Sequence, residues 1–182
     1  MLINKAENYQ IGSLCLRGLS ELDISTRYVS WLNDPEVNRF LESRFSVQTA
    51  ESVLAFVNKC NQNSDVVLLG IFINVNDCND SMHIGNVKIG PIQINHGTAE
   101  VGILIGDKNY WGKGLGEKVI TAVCQIAKIN LGIRKLTAGC YGKNIGSYKA
   151  FTRAGFICVG ERKNHVVSQG GLDSIFVFDK EL

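Results

Sequence analysis

Residues 100–118 read EVGILIGDKNYWGKGLGEK, and this stretch constrains the fold more than any other. It combines an apolar strand, a turn, a glycine loop and the start of an amphipathic helix. Gly112, Gly114 and Gly116 stand at every second position just before that helix. Glycine lets the backbone turn tightly and approach a ligand closely. A helix start adds unpaired N–H groups and partial positive charge. In this order the parts make a cradle for a phosphate compound.

Two nucleotide loops fail the test of spacing. A Walker-type loop needs Gly-Lys followed by Ser or Thr, whose hydroxyl binds magnesium. Here Gly112-Lys113 is followed by Gly114. A dinucleotide fingerprint needs GxGxxG opening a βαβ unit, whereas these glycines give GxGxG after a strand that belongs to a meander. What remains is a backbone cradle for a pyrophosphate with no required metal.

The rest of the chain supplies the frame. Residues 13–17 read as a first strand. Ser20, with Asp23 three residues on, is a helix-start pattern, and Ile24, Tyr28, Trp31 and Leu32 follow at helical spacing. Asp34-Pro35 ends that helix and opens a short one, and Ser46 is the expected cap of a third, with Ala50, Val53, Leu54 and Val57 on one face. Arg39, Glu42 and Arg44 are either solvated charge or the lip of a substrate site. Strands are expected over 66–75, over 82–94 with an interruption at Gly90-Pro91, and over 98–105 after a His96-Gly97 turn. Short connections make these three an antiparallel meander. Leu115, Val119, Ala122, Val123, Ile126, Ala127 and Leu131 define one helical face that Gly132 ends. A strand over 134–141, a short helix capped by Asn144 and stopped at Gly155, and strands over 156–160 and 172–178 complete the chain, with 165–171 as the last connection. The strand–helix–strand unit around the glycine loop is expected to be a right-handed crossover with its two strands parallel. The fold class is therefore α+β: one domain over 1–182, with a mixed, mostly antiparallel sheet of about seven strands and about four helices.

Composition excludes several functions. A net charge of +2 without clustered basic residues argues against a nucleic-acid binder. No apolar run is long enough to cross a membrane, and the polar N-terminus lacks a signal core, so a cytoplasmic location is expected. The six cysteines form no CxxC pair and have no His at metal-ligand spacing, so they read as core thiols in a reducing compartment and no metal site is expected.

WGKGLGEKVI resembles the coenzyme A pyrophosphate loop of the GNAT acetyltransferase superfamily, with Gly114 and Gly116 on its two small positions. Trp111 replaces the usual Gln or Arg, a departure typical of the RimJ/RimL-type branch. WLNDPEVNRFL at 31–41 and NIGSYKAFTRAGF at 144–156 are similar to two further segments of that branch, in the same order. The resemblance implies transfer of acetyl from acetyl-CoA to an amine acceptor. It places backbone contacts to the pantetheine arm at Ile103, Leu104 and Ile105, and pyrophosphate contacts at the N–H groups of Trp111, Gly112, Lys113, Gly114, Leu115 and Gly116. The Lys113 side chain either adds charge at a phosphate or is solvated. Gly102 is a candidate for easing a splay in its strand.

An amine attacks only when unprotonated, so a base is needed. Glu100 matches a carboxylate of many RimJ/RimL-type sequences and is the candidate base, its alternative being a structural ion pair. Strand alternation puts Glu100, Gly102 and Leu104 on one face. The Tyr that many superfamily members use to protonate the leaving thiolate is Phe151 here, which cannot donate. The resemblance then turns to Ser147, with Tyr148 as an alternative donor, and gives Asn144 a coenzyme contact beside its capping role. His96 lies near Glu100 but in a turn with Gly97, where it is expected to be exposed, and His83 and His165 carry no specific signal. Three acceptor classes stay open: a protein α-amine, an amino group on a nucleotide-linked sugar, and a polyamine or drug amine. A non-catalytic acyl-CoA-binding module is the other functional class. Strand 172–178 either completes the sheet or pairs across a dimer, leaving monomer and homodimer both open.

Overall fold

The structure is a computed structural model and describes residues 8–74, 81–168 and 170–182. The connection expected over 76–81 falls outside these residues except for Ser81, as does Cys78.

One mixed sheet of eight strands runs through the molecule in the order β1-β2-β3-β4-β5-β6-β8-β7. The strands are β1 Tyr9–Ile11, β2 Leu14–Gly18, β3 Val67–Asn74, β4 Ser81–Gln93, β5 Thr98–Ile105, β6 Lys135–Tyr141, β7 Ile157–Ser168 and β8 Gly171–Glu181. Neighbours are antiparallel except for β5 and β6, the two ends of the crossover, which are parallel. The helices are α1 Thr26–Asn33, α2 Pro35–Asn38, α3 Ala50–Gln62, α4 Leu115–Leu131 and α5 Ile145–Arg153.

Alternation along β5 divides the core. Ala99, Val101, Ile103 and Ile105 pack with Val119, Val123 and Ala127 of α4 and Phe151 of α5. Leu104 faces the other way, into a second cluster with Tyr28 and Trp31 of α1 and Val53 and Val57 of α3. The strand that leads into the glycine loop is thus clamped between two helical layers, which fixes where the loop begins.

Several sequence expectations are corrected. The added strand is β1, only three residues long, which pairs with β2 as a small hairpin. The Ser20 signal caps only a short helical turn at Glu21–Asp23, because the Arg17 guanidinium takes the Asp23 carboxylate at 2.7 Å. The helix itself starts afresh at Thr26 under the Ser25 side chain. The cap of α3 is Thr49 rather than Ser46: Thr49 and Ser52 form a reciprocal capping box, and Asn33 accepts from the Gln48 N–H at 2.9 Å, holding the preceding chain extended. Residues expected to connect the last two strands are strand through Ser168, because β7 and β8 run on together as a long ribbon. β8 lies between β6 and β7, so it completes the sheet, and the edge strand at this end is β7. The interruption expected at Gly90-Pro91 is present, as a bulge within β4.

Candidate functional site

β5 and β6 are joined by only three residue pairs, Thr98↔Lys135, Ala99↔Leu136 and Glu100↔Thr137. Beyond Glu100, β5 stays on β4 through Ile105, while β6 stays on β8 along its full length. The sheet therefore parts into two halves that diverge from Glu100 onward. The backbone edge of residues 103–105 facing β6 has no strand partner among the described residues, which leaves room for an extended, amide-bearing ligand. The irregularity that accompanies the split is not at Gly102, which pairs with Lys88 in regular register. It lies across from Glu100, where Gly90 and Pro91 of β4 oppose that single residue. Glu100 thus stands at the apex of the opening, exposed and with no side-chain hydrogen bond or ion pair among the described residues.

The glycine loop lies at the mouth of the same opening. Gly112 and Gly114 both take φ +72°, a backbone state that side-chain-bearing residues rarely adopt. Two left-handed glycines flanking Lys113 give the kind of backbone in which successive N–H groups can converge on an anion. Among the described residues the N–H groups of 112–117 have no backbone partner, and the first helical hydrogen bond runs from Lys118 to Gly114. Trp111 departs from expectation: its backbone N–H is taken by the Lys108 carbonyl at 3.1 Å. Its contribution is the side chain, whose indole N–H donates to the Ile105 carbonyl at 2.7 Å. The Lys113 ammonium lies 5.2 Å from the Tyr110 ring centroid.

Loop, strand and α5 share one cleft of about 560 Å³. Ile103, Leu104, Ile105, Trp111, Gly112, Gly114, Leu115, Gly116, Asn144 and Ser147 all line it; Glu100 and Lys113 do not. Asn144 caps α5 by accepting the Ser147 N–H at 3.1 Å, which places Ser147 in the first turn facing the cleft. The Ser147 hydroxyl has no protein partner among the described residues. Phe151 is core, packed on Phe156 and Phe178, and Tyr148 lies against Phe176 and Phe178. Sequence reasoning passed over Lys149 and Arg153, which add positive charge to the cleft. Their signal was the i, i+4 spacing of two basic residues one and two turns beyond Asn144.

The wall contributed by the N-terminal helices resolves the three charged residues left open above. Phe40 and Leu41 line the cleft, as does Arg39, whose guanidinium sits over the Phe40 ring. Arg44 is neither solvated nor part of a lip. It donates to the carbonyls of Leu41 at 2.6 Å and Val167 at 2.5 Å, and to the Tyr141 hydroxyl at 2.9 Å. Glu42 stays exposed and accepts the Tyr141 hydroxyl. Burial, with the Glu42 hydrogen bond second, pushes the Tyr141 hydroxyl above its usual pKa. Further ion pairs fasten this wall to the turn before the glycine loop: Arg27 with Asp107, and Lys108 with Asp34 and Glu36, both at 2.9 Å. Beneath them the Trp31 ring lies so close to Gly106 that a methyl group there would sit 2.2 Å from it.

His83 also escaped the sequence reading. It is packed among Tyr28, Trp31 and Phe72. Its Nε2 lies 2.8 Å from the Gly85 carbonyl and 2.9 Å from Asn86 Oδ1. Two oxygen partners require the hydrogen on Nε2, leaving Nδ1 buried and without a partner among the described residues. Burial first of all holds this imidazole below its usual pKa.

The comparisons agree with this geometry. Residues 13–157 match the acetyltransferase (GNAT) domain family. An uncharacterised protein of Methanocaldococcus jannaschii is 26% identical over 144 residues; the match takes in 79% of this chain but only 28% of that protein's length. Among solved structures, a spermidine N-acetyltransferase of Vibrio cholerae in complex with CoA and spermine superposes with a TM-score of 0.82 at 17% identity, over 94% of this chain and 96% of that one. RimL, a ribosomal-protein α-N-acetyltransferase in complex with CoA, gives 0.84 at 18% identity over 97% and 98%. A microcin self-immunity acetyltransferase with acetyl-CoA and AMP gives 0.77 at 18% identity over 94% of each chain. With a split parallel pair, a glycine loop at its mouth and a family match over most of its length, this chain belongs to the GNAT acetyltransferase family.

Proposed function

We propose that residues 1–182 form one cytoplasmic acetyltransferase domain that moves acetyl from acetyl-CoA directly to a primary amine in a ternary complex. The observation that carries this reading is the parting of β5 and β6 just beyond Glu100, with unbonded N–H groups waiting at its mouth. An extended thioester bearing a pyrophosphate has the shape and charge that this opening complements. Lys149 and Arg153 add charge of the sign that CoA phosphates require.

In this mechanism the amine nitrogen attacks the thioester carbonyl and the carbon–sulfur bond breaks. The proton lost by the amine goes to Glu100, directly or through water. The CoA thiolate takes a proton from solvent, directly or relayed through the Ser147 hydroxyl, which gives up its proton as it regains one from water. No group on the enzyme is acetylated. The two acceptors we favour are a protein N-terminus and an amino-sugar nucleotide, in a protein that is a monomer or a homodimer. Phe151, in place of a Tyr donor, favours one competing reading, an acyl-CoA-binding module without turnover.

The test is an acceptor screen with acetyl-CoA, using N-terminal peptides, amino-sugar nucleotides and diamines, read by release of the CoA thiol and by the mass of the product. Release with at least one amine class is expected. Tight acetyl-CoA binding without release to any amine would establish the idle module instead. An acetyl-cysteine or acetyl-serine enzyme trapped during turnover would overturn direct transfer.

A further inference from the structure

Beyond Glu100, β5 and β6 share no paired residues among those described, yet the two half-sheets are spanned on both faces. On one face α4 and α5 cross the parting and share a core with Leu136, Ala138 and Cys140 of β6. Tyr141 ends β6, and alternation turns it to the opposite face. There the wall of N-terminal helices does the spanning. Its ion pairs with Asp107 and Lys108 tie one end of it to the turn after β5. Its other end reaches β6 and β7 through Arg44 and Glu42.

This second attachment has a defined geometry. The Tyr141 hydroxyl has one proton, which it gives to Glu42, so it receives Arg44 Nη1 on a lone pair at 2.9 Å. The same nitrogen donates to the Leu41 carbonyl at 2.6 Å, and Nη2 donates to the Val167 carbonyl at 2.5 Å. The Arg44 side chain is only 13% exposed, and the Glu42 carboxylate stands 3.9 Å off. Withdrawing a guanidinium from water onto three uncharged oxygens gains little stability, but it defines one arrangement of the groups it joins.

Those groups border the cleft. Leu41, whose carbonyl Arg44 holds, lines it on the wall side with Arg39 and Phe40. Tyr141 comes two residues before Lys143, where the opposite side begins, and Asn144 and Ser147 follow along that side. The Phe40 and Tyr141 rings meet between them, centroids 5.7 Å apart. Arg44 itself does not line the cleft. It latches the free end of the wall onto the second half-sheet, while α5 is seated independently on α4.

We infer that Arg44, acting through Tyr141, is a positioning residue that fixes the wall of Arg39, Phe40 and Leu41 across the parted sheet and so aligns the acceptor on the thioester. The inference rests on the acetyltransferase reading for its effect on turnover, but the latch itself is measurable without turnover.

The test compares the CoA-loaded wild type with Tyr141→Phe, Arg44→Lys and the double variant. Tyr141→Phe deletes one oxygen and keeps the ring; Arg44→Lys keeps the charge but replaces the planar fork by one nitrogen. Amide hydrogen exchange, read by mass spectrometry, should quicken over residues 38–46 in each variant and stay unchanged over 98–105 and 115–131. With an acceptor from the screen, kcat/KM for that acceptor should fall about tenfold while acetyl-CoA affinity holds. The double variant should be no worse than the poorer single one, because both break the same contact. Exchange over 38–46 that does not change, or that quickens along the whole chain, would overturn the inference. So would an acceptor kcat/KM that holds, or one that falls only in step with acetyl-CoA affinity. If no amine releases CoA in the acceptor screen, the acetyltransferase reading falls, and the exchange comparison alone decides whether Arg44 latches the wall.

Discussion

Trp111 spans the turn between strand and glycine loop, its indole N–H bonded to the Ile105 carbonyl at 2.7 Å. The bond holds the end of the strand edge in fixed relation to the first glycine of the loop. Trp111→Phe keeps a ring in the turn and removes only the donor. One neutral hydrogen bond is worth about 0.5–1.5 kcal/mol net. Acetyl-CoA affinity should therefore fall about three- to tenfold, as read by calorimetry, with the acceptor KM unchanged. Unchanged affinity would show that the loop holds its shape without the strut.

Replacing Gly106 tests how tightly the N-terminal helices are seated on this turn. A Cβ at that position would lie 2.2 Å from the Trp31 ring. The ring is buried and flanked by Tyr28 and His83, so Gly106→Ala should cost about 1–3 kcal/mol. For a chain of this size that corresponds to a fall of roughly 3–10 °C in melting temperature. A melting curve that does not move would mean that α1 is loosely docked.

Glu100→Gln removes the proposed base while keeping size and polarity. General-base assistance is worth about a hundredfold or more, so kcat should fall by about that factor near neutral pH while acetyl-CoA affinity holds. The deficit should shrink as the pH rises and the free amine forms without help. Near-normal turnover across about pH 6 to 9 would remove Glu100 from the mechanism.

His83 predicts an acid-sensitive fold. Burial holds its pKa below that of the unfolded chain, so below the ordinary value of 6.5 the unfolded state takes up a proton that the native state refuses. Stability should accordingly be constant above that pH and fall as the pH drops below it. Asp23 acts in a separate window. Its carboxyl is held below 3.8 by hydrogen bonds from Arg17 and Ser20, which outweigh the larger single effect of burial. That contribution is present above the unfolded value and is lost only at lower pH. Urea midpoints at about pH 7.5 and 5.5 should differ for the wild type and converge in His83→Gln; equal slopes in both proteins would clear His83.

Legibility in the sequence followed the strength of local signals. The face running from Leu115 to Leu131, closed by Gly132, could be read because burial, periodicity and cap agree. Thr98–Ile105 was equally clear, since its alternation maps directly onto two helical layers. Where two signals of similar strength compete, tertiary contacts decide. Ser46 and Thr49 are both plausible caps, and the hydrogen bond from Gln48 to Asn33, 15 residues away, selects the second. Both final strands were expected, but the outer part of the β7–β8 ribbon was missed because the polar residues of β7 look like loop; exposed along most of its length, β7 needs no apolar alternation. Within the site, backbone-borne functions followed from glycine positions. Side-chain roles at Trp111, Arg44 and His83 did not, because each depends on a partner brought in by the fold.

The three-pair seam between β5 and β6 gives the co-substrate a part in the architecture. Two half-sheets joined so briefly should breathe against one another, and a bound pantetheine arm would act as the missing rung between them. Occupancy then becomes a form of folding energy: at a concentration a hundred times its Kd, a ligand adds about 2.7 kcal/mol to the native state. The lifetime of this protein against unfolding and proteolysis would rise and fall with the supply of acetyl-CoA around it, making its abundance a readout of that supply.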